Sequence, residues 1–379
     1  MKWPKNGQRI TPFRHILNRN VNQIIKILSK KIQHIAVMRL SAMGDVAMTV
    51  PVVRAFVNQN PEIKVTVVSR PFFKPFFEGI PNVSFFAFDE KKRHKGFIGL
   101  MRLFQDLKGL HIDAFADLHN VLRSKVVRTF FALSGKKIAF VDKARAEKAA
   151  LMRAENKIFQ PLPTMFERHA KVFSALGYTV DLSHPRFPEK ANLSDDVLKK
   201  LYKKNEIPSF DGIKIGIAPF AQYDSKVYPL DLMQEVIHQL AENSNYKILL
   251  FGGGKKEIEL LDSLSKDKEN VIVVAGKLEF KKELQLISNL DLMVSMDSGN
   301  AHIAAMLGVK VITLWGATHP FAGFSPFNQP LENALVSDRN LFPKLPTSVY
   351  GNKMVEGYEE VMRTISVQSV VEKINSAVE

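Results

Sequence analysis

Cysteine is absent from all 379 residues. That excludes disulfides, thiolate metal sites and cysteine nucleophiles together, and it fits a reducing compartment. No run of 18 or more apolar residues occurs, so nothing reads as a membrane-spanning helix. The N-terminus lacks the short apolar core and small-residue cleavage site of a secretory signal, and a cytoplasmic protein is expected. Acid is missing from the start of the chain: the first Asp or Glu is Asp45, after eight Lys/Arg in residues 1–33. Motifs are missing too. There is no Asp-x-Asp triplet, no G-x-S-x-G and no H-E-x-x-H, so the usual metal site for a sugar diphosphate, the serine-hydrolase elbow and the zinc-protease helix lose their support.

What remains is an ordinary soluble composition with a basic excess. Hydrophobic residues make up 46% and charged residues 24%, with a net charge of +15, which argues against disorder. The length suggests two domains at roughly 150 residues each. Residues 1–33 read as a basic amphipathic extension, with Leu17, Val21, Ile24, Leu28 and Ile32 recurring at helical spacing. Such a helix either lies on an anionic membrane surface or packs on the protein body with its charges in water. Nucleic acid is not an expected partner, because no aromatic-basic interleaving accompanies the charge.

From Ile35 onward short apolar runs alternate with helical segments. Ile35–Met38, Lys64–Val68, Ser84–Phe88, Ala114–Asp117 and Lys137–Phe140 read as strands, with helices such as Val46–Asn58 and Phe97–Leu107 between them. After a charged, proline-containing stretch and a helix over Phe166–Leu176, the alternation restarts. Ile213–Ala218, Lys247–Phe251, Val271–Val274, Leu292–Ser295 and Val311–Leu314 are expected strands, and Val355–Ala377 is an expected helix. Alternation of this kind predicts an α/β protein with parallel sheets. The expected division is 34–190, a linker at 191–211, 212–350, and a C-terminal helix within 351–379. Two such domains place a cleft between the carboxyl ends of their sheets, where ligands bind.

Four loops carry the candidate chemistry. Arg39-Leu40-Ser41-Ala42-Met43-Gly44-Asp45 follows the first strand, with Asp45 at a helix start, as a cap or facing the cleft. Lys226 lies on the loop after the first strand of the second half, where it is either solvated or a point charge for phosphate. Phe251-Gly252-Gly253-Gly254 with Glu257 is a weak nucleoside-pocket signal: a strand ending in glycines, with an acid for ribose hydroxyls. Asp297-Ser298-Gly299-Asn300-Ala301-His302 joins a strand to a small-residue helix. Free N–H groups at such a start bind anions, Ser298 adds a hydroxyl, and Gly299 lets a ligand approach. His302 is either a packed hydrogen-bonding residue or a donor beside a diphosphate. Trp315–Pro320, including Thr318, ends the next strand and is placed to wall the same pocket.

Together these residues resemble glycosyltransferase family 9, the heptosyltransferases of the lipopolysaccharide inner core. The resemblance spans roughly residues 34–375. It rests on Arg39–Asp45 with Thr49-Val50-Pro51, Lys226 ahead of Tyr228-Pro229, the Asp-Ser-Gly-x-x-His of Asp297–His302, and the Gly-x-Thr-x-Pro of Gly316–Pro320. Asp117-Leu118-His119-Asn120 with Arg123-Ser124 also looks like a family segment. Tyr228 stands where Trp is more usual, and Pro219-Phe220-Ala221 where Pro-Gly-Ala is common. The resemblance implies a GT-B architecture, two Rossmann-like domains with the C-terminal helix crossing back to the first. It implies an inverting, metal-independent transfer from a nucleotide sugar, typically ADP-heptose, to a lipid-linked sugar, with no cofactor, at the inner face of the inner membrane. Asp45 is the expected base, with Lys226 and His302 on the leaving diphosphate. Glu257, Asp297, Ser298, Gly299, Asn300, Gly252 and Thr318 are expected on the donor. Arg39, Ser41, His119, Asn120 and Arg123 are expected on the acceptor. Two rival readings are a related transferase using another nucleotide sugar for surface polysaccharide, and a non-catalytic protein binding polyanions or membrane.

Overall fold

The computed structural model describes residues 32–202, 211–266 and 268–379. The basic segment up to residue 31 lies outside the described residues, and with it the expected amphipathic helix but for Ile32, which is buried and not helical. In the N-terminal half β1 (His34–Met38), β2 (Lys64–Ser69), β3 (Val83–Ala87), β4 (Ala114–Asp117) and β5 (Lys137–Phe140) form one parallel sheet in the order β3-β2-β1-β4-β5. In the C-terminal half β6 (Ile213–Ala218), β7 (Tyr246–Leu250), β8 (Val271–Val273), β9 (Leu292–Met296), β10 (Lys310–Trp315) and β11 (Ala334–Val336) form a second, in the order β11-β10-β9-β6-β7-β8. All ten expected strands are present, displaced by at most one residue at either end. The short edge strand β11 was not among them: Ala-Leu-Val beside charged and proline residues carries no strand pattern of its own.

Both orders reverse direction at the first strand of the half, between β1 and β4 and between β6 and β9. These are the switch points at which adjacent loops part and leave a crevice. Register makes the edges level there: Met38 pairs with Asp117 and Ala218 with Ser295. The loops after β1 and β4 therefore start side by side in one sheet, and those after β6 and β9 in the other.

Helices cover both faces of each sheet. The expected single helix from Val46 is two, α1 (Met43–Ala47) and α2 (Thr49–Gln59). Pro51 has no N–H to give to the Ala47 carbonyl four residues back, and beside it the Thr49 hydroxyl donates to the Val46 carbonyl at 2.7 Å. On the outer face lie α3 (Gly96–Gly109) and α4 (Leu122–Leu133), burying Leu100, Leu103, Leu107, Val127 and Phe131. After α5 (Arg145–Met152) comes α6 (Met165–Ala175), started by a Thr164–Glu167 capping box. It stacks Phe173 on Phe56 of α2 with centroids 4.4 Å apart.

The expected linker contains α7 (Asp195–Tyr202), which packs beside β8, with the Lys277 ammonium donating to the Leu201 carbonyl at 2.8 Å. The C-terminal domain adds α8 (Leu230–Ala241), α9 (Lys255–Leu264), α10 (Phe280–Ile287) and α11 (Gly299–Met306). The expected helix over Val355–Ala377 is shorter: a 3-10 turn at Val361–Thr364, then α12 (Val367–Val378). Nor does α12 cross back. Val370, Val371 and Ile374 make an apolar stripe that packs on α8 and β9 of its own domain. Contact with the first domain comes instead from the loop before it, where the Pro346 carbonyl accepts from Lys157 at 2.9 Å.

Candidate active site

Two glycines set how closely the domains meet. A Cβ on Gly44 of α1 would stand 2.9 Å from Cδ2 of His302 and 3.2 Å from Cα of Gly299 on α11. One on Gly299 would stand 2.7 Å from the Met43 methyl. Helix α1 thus lies directly on the start of α11, and the two candidate motifs most distant in sequence are in contact.

Asp45 is the third residue of α1, not its cap. Its Oδ2 accepts from the Ala42 N–H at 3.1 Å, and its Oδ1 lies 2.7 Å from Nη2 of Arg39. Burial disfavours its charge, but Arg39 and the Ala42 N–H outweigh that and hold the carboxyl below its ordinary range. Arg39 is itself buried, donating from Nε to the Ser41 carbonyl (2.9 Å) and from Nη1 to the Leu118 carbonyl (2.8 Å). It is a clamp on the Asp45 loop.

Across the cleft Lys226 lies 2.9 Å from Asp297, both side chains nearly buried. The lysine loop is held rigid. Ser225 donates to the Gly351 carbonyl at 2.6 Å, and the Tyr228 hydroxyl donates to the Ile365 carbonyl at 2.8 Å, burial pushing that phenol up to about 12. The lysine stem lies on Gly351, whose φ is +80° and where a Cβ would fall 2.3 Å from Cδ. His302 is buried, and its Nδ1 has no protein partner. Burial and Lys226 push its pKa down against the pull of Asp297 and Asp45, leaving a neutral ring at physiological pH.

Asp45, Lys226, Asp297, Ser298, Gly299 and His302 line one cavity of about 310 Å³ between the domains. A second cavity of about 270 Å³ adjoins it on the N-terminal side, lined by Arg39, Ser41 and His119 and sharing Ala42, Asp45, Phe324 and Tyr350 with the first. Asp45 stands where the two meet. A cavity of about 580 Å³ lies elsewhere, near the amino ends of β7 and β8, away from the edge where the loops converge.

The other expected residues line neither central cavity. Glu257 turns back to accept the Gly253 N–H at 2.7 Å, which closes the Gly252–Gly254 loop. Asn300 is not among the residues that line the cavity, and Thr318 is buried with an unpartnered hydroxyl. Asn120 adopts φ 48°, and its amide donates to the Val141 carbonyl at 2.8 Å. The Asp117 carboxylate collects the His119 and Asn120 N–H groups and Arg128, so that segment is a folded turn. Arg123 is exposed and pairs with Glu90 at 2.8 Å, outside both cavities.

Sequence reasoning missed Lys143 and Lys148, which line the second cavity. Lys148 is buried, with its ammonium 4.0 Å from the centre of the Phe324 ring in the other domain. Burial, with Arg168 beside it, pushes its pKa down to about 8. His119 is lowered to about 3 by burial and by Arg39 and Lys143. Nothing local marks Lys148; only folding brings it beside Arg39. The cavity therefore carries three cations and one acid, Asp45. Among the described residues no cluster of three or more His, Asp or Glu side chains is arranged to hold a metal.

Comparison with known proteins bears on the family and the fold. The family model for glycosyltransferase family 9 (heptosyltransferase) matches residues 100–353. The lipopolysaccharide core heptosyltransferase OpsX of Haemophilus influenzae is 26% identical over 305 residues, 79% of this chain and 83% of that enzyme. Among solved structures, a glycosyl transferase family 9 protein from Veillonella parvula superposes with a TM-score of 0.69 at 20% identity, covering 91% of this chain and 97% of that one. E. coli heptosyltransferase WaaC with ADP gives 0.62 at 20% identity, covering 91% of this chain and all of that one. The fold is the GT-B architecture, and the non-catalytic reading falls away. The chain belongs to glycosyltransferase family 9, the heptosyltransferases, and is a glycosyltransferase.

Proposed function

We propose that this enzyme moves a heptose from ADP-heptose to a lipid-linked lipopolysaccharide-core sugar, with inversion and without a metal. One observation carries the reading: a fixed carboxylate from one domain and a lysine–aspartate–histidine group from the other face a single cavity. The relatives add the donor, since WaaC is described with ADP and with an ADP-heptose analogue.

The acceptor oxygen attacks the anomeric carbon from the Asp45 side as the bond to the diphosphate breaks opposite. The acceptor proton passes to Asp45, and ADP leaves with the bonding electrons. A carboxylate held below its ordinary pKa is a weak base. It suffices here because the attacking hydroxyl becomes acidic as its oxygen bonds to an oxocarbenium-like carbon. Negative charge growing on the diphosphate meets Lys226, the N–H groups at the start of α11 and the open Nδ1 of neutral His302. Asp297 holds Lys226 in place and is available to the donor sugar's hydroxyls. Glu257, by closing the glycine loop after β7, shapes the nucleoside end. The cationic second cavity, with Arg39, Lys143 and Lys148, suits an acceptor bearing phosphate or carboxylate.

Calorimetric titration with ADP, UDP and GDP, each with Mg²⁺ and with EDTA, tests the donor. ADP is expected to bind at least tenfold tighter than the others, unchanged by EDTA, and ADP-heptose to support transfer. Preference for UDP or GDP would keep the fold and overturn the donor; loss of binding in EDTA would overturn metal independence.

A further inference from the structure

Half of the fourteen large apolar side chains exposed among the described residues fall between Phe97 and Phe140, on the outer face of the N-terminal domain. Four sit at one end of that face: Phe97 (61% exposed), Ile98 (66%) and Met101 (42%) in the first turns of α3, and Leu122 (79%) at the start of α4. Phe97 and Leu122 line one hollow of about 490 Å³ between the two helix starts. Both helices leave the carboxyl edge of the sheet, and Cα–Cβ bonds tilt toward a helix's N-terminus, so these side chains lean toward that edge. It is the edge of the acceptor cavity: His119 lines that cavity three residues before Leu122.

Along the segment that carries three of the four side chains the charge has one sign. Residues 91–102 contain Lys91, Lys92, Arg93, Lys95 and Arg102 and no acid, all five exposed. The neighbouring acids are occupied: Glu90 by Arg70 and Arg123, Asp106 by Arg93 and His94, and Asp89 by the N–H groups of residues 91–93.

We propose that this face, the first turns of α3 and α4 with the Lys91–Lys95 loop, docks on an anionic lipid bilayer, with Phe97, Ile98, Met101 and Leu122 in the interface and the lysines on headgroups. Charge complementarity selects this occupant. A second copy would set basic face against basic face, and the chain's own residues 1–33 carry eight cations and no acid. Apolar side chains ringed by cations are what partitions into a headgroup boundary. The proposal rests on the reading of a lipid-linked acceptor, since docking there brings the acceptor cavity to the membrane.

The test uses the full chain and vesicles of phosphatidylcholine with and without 30% phosphatidylglycerol. Ile98→Ser with Leu122→Ser, and separately Lys91→Glu with Lys92→Glu, are each expected to weaken binding to the anionic vesicles at least tenfold, with ADP affinity within twofold of the parent. The lack of cysteine permits a second measurement that survives misfolding of those variants. Ile98→Cys labelled with an environment-sensitive dye is expected to shift to the blue on anionic vesicles, while Leu331→Cys, exposed on the other domain, does not. Unchanged binding in both double variants, or a shift at Leu331 and none at Ile98, would overturn the proposal. So would loss of binding on deleting residues 1–33 with none from the patch variants, or a change of oligomeric state in the patch variants. Transfer to a delipidated acceptor separates the two readings: vesicle binding without any transfer sinks the function and leaves the surface standing.

Discussion

Asp45 and Lys148 show how the same burial acts in opposite senses on function. Burial works against the charge on Asp45, and the Arg39 clamp outweighs it, so the carboxylate stays ionised across the physiological range. Lys148 has no carboxylate on its ammonium, only the Phe324 ring and a methionine sulfur, and its pKa falls to about 8. It is charged below that pH and neutral above. Affinity for an anionic acceptor is therefore expected to fall as pH rises through 8, read as a rising KM with kcat little changed, and Lys148→Met is expected to flatten that profile. Stability moves the other way. Between pH 8 and 10.5 the unfolded chain binds the proton that the folded one has released, so stability rises with pH through that window. Lys148→Met, which removes the buried charge, is expected to lose this rise; thermal melts at pH 7 and 10 check it.

Among the elements, the α1–α11 contact matters most. A methyl on Gly44 collides with the rigid His302 ring and the Gly299 backbone, whereas one on Gly299 meets the end of a flexible methionine. Gly44→Ala is expected to cut turnover by at least 10², with about 1–3 kcal/mol of overpacking strain; Gly299→Ala is expected to cost less than tenfold. Equal effects would show that the contact does not set the domain approach. Much of this was legible beforehand, because strand pattern is local and a motif's place at a strand end is local too. Asp45, Lys226, Asp297 and His302, picked out that way, line one cavity. Tertiary placement was not legible. Asn120 and Arg123 share a motif-like stretch with His119, yet one is spent on the Val141 carbonyl and the other on Glu90. Lys148, Phe324 and Tyr350 reach the site only because α5 and two loops of the other domain converge there. The C-terminal apolar stripe was readable as a helix, but not which sheet it would cover.

For the molecule as a whole, the proposed function rests on a division of labour between domains. On the proposed mechanism the base and Arg39 come from the loop after β1, Lys143 and Lys148 join them from the loop after β5 and from α5, and the diphosphate-binding groups come from the loops after β6 and β9. Hydrogen bonds from Leu162 and Met165 to the carbonyls of Phe321 and Gly323, both 2.9 Å, tie the halves together beside the cleft. Neither half holds a complete site. The most direct test of that account is to measure turnover and ADP affinity side by side for Asp45→Asn, a change that keeps the side chain's shape and removes its charge. The expected result is a loss of about 10²–10⁴ in kcat with ADP affinity within threefold of the parent, because the base and the nucleotide groups lie on different domains. Near-parental turnover, or a loss of ADP affinity as large as the loss of rate, would contradict it.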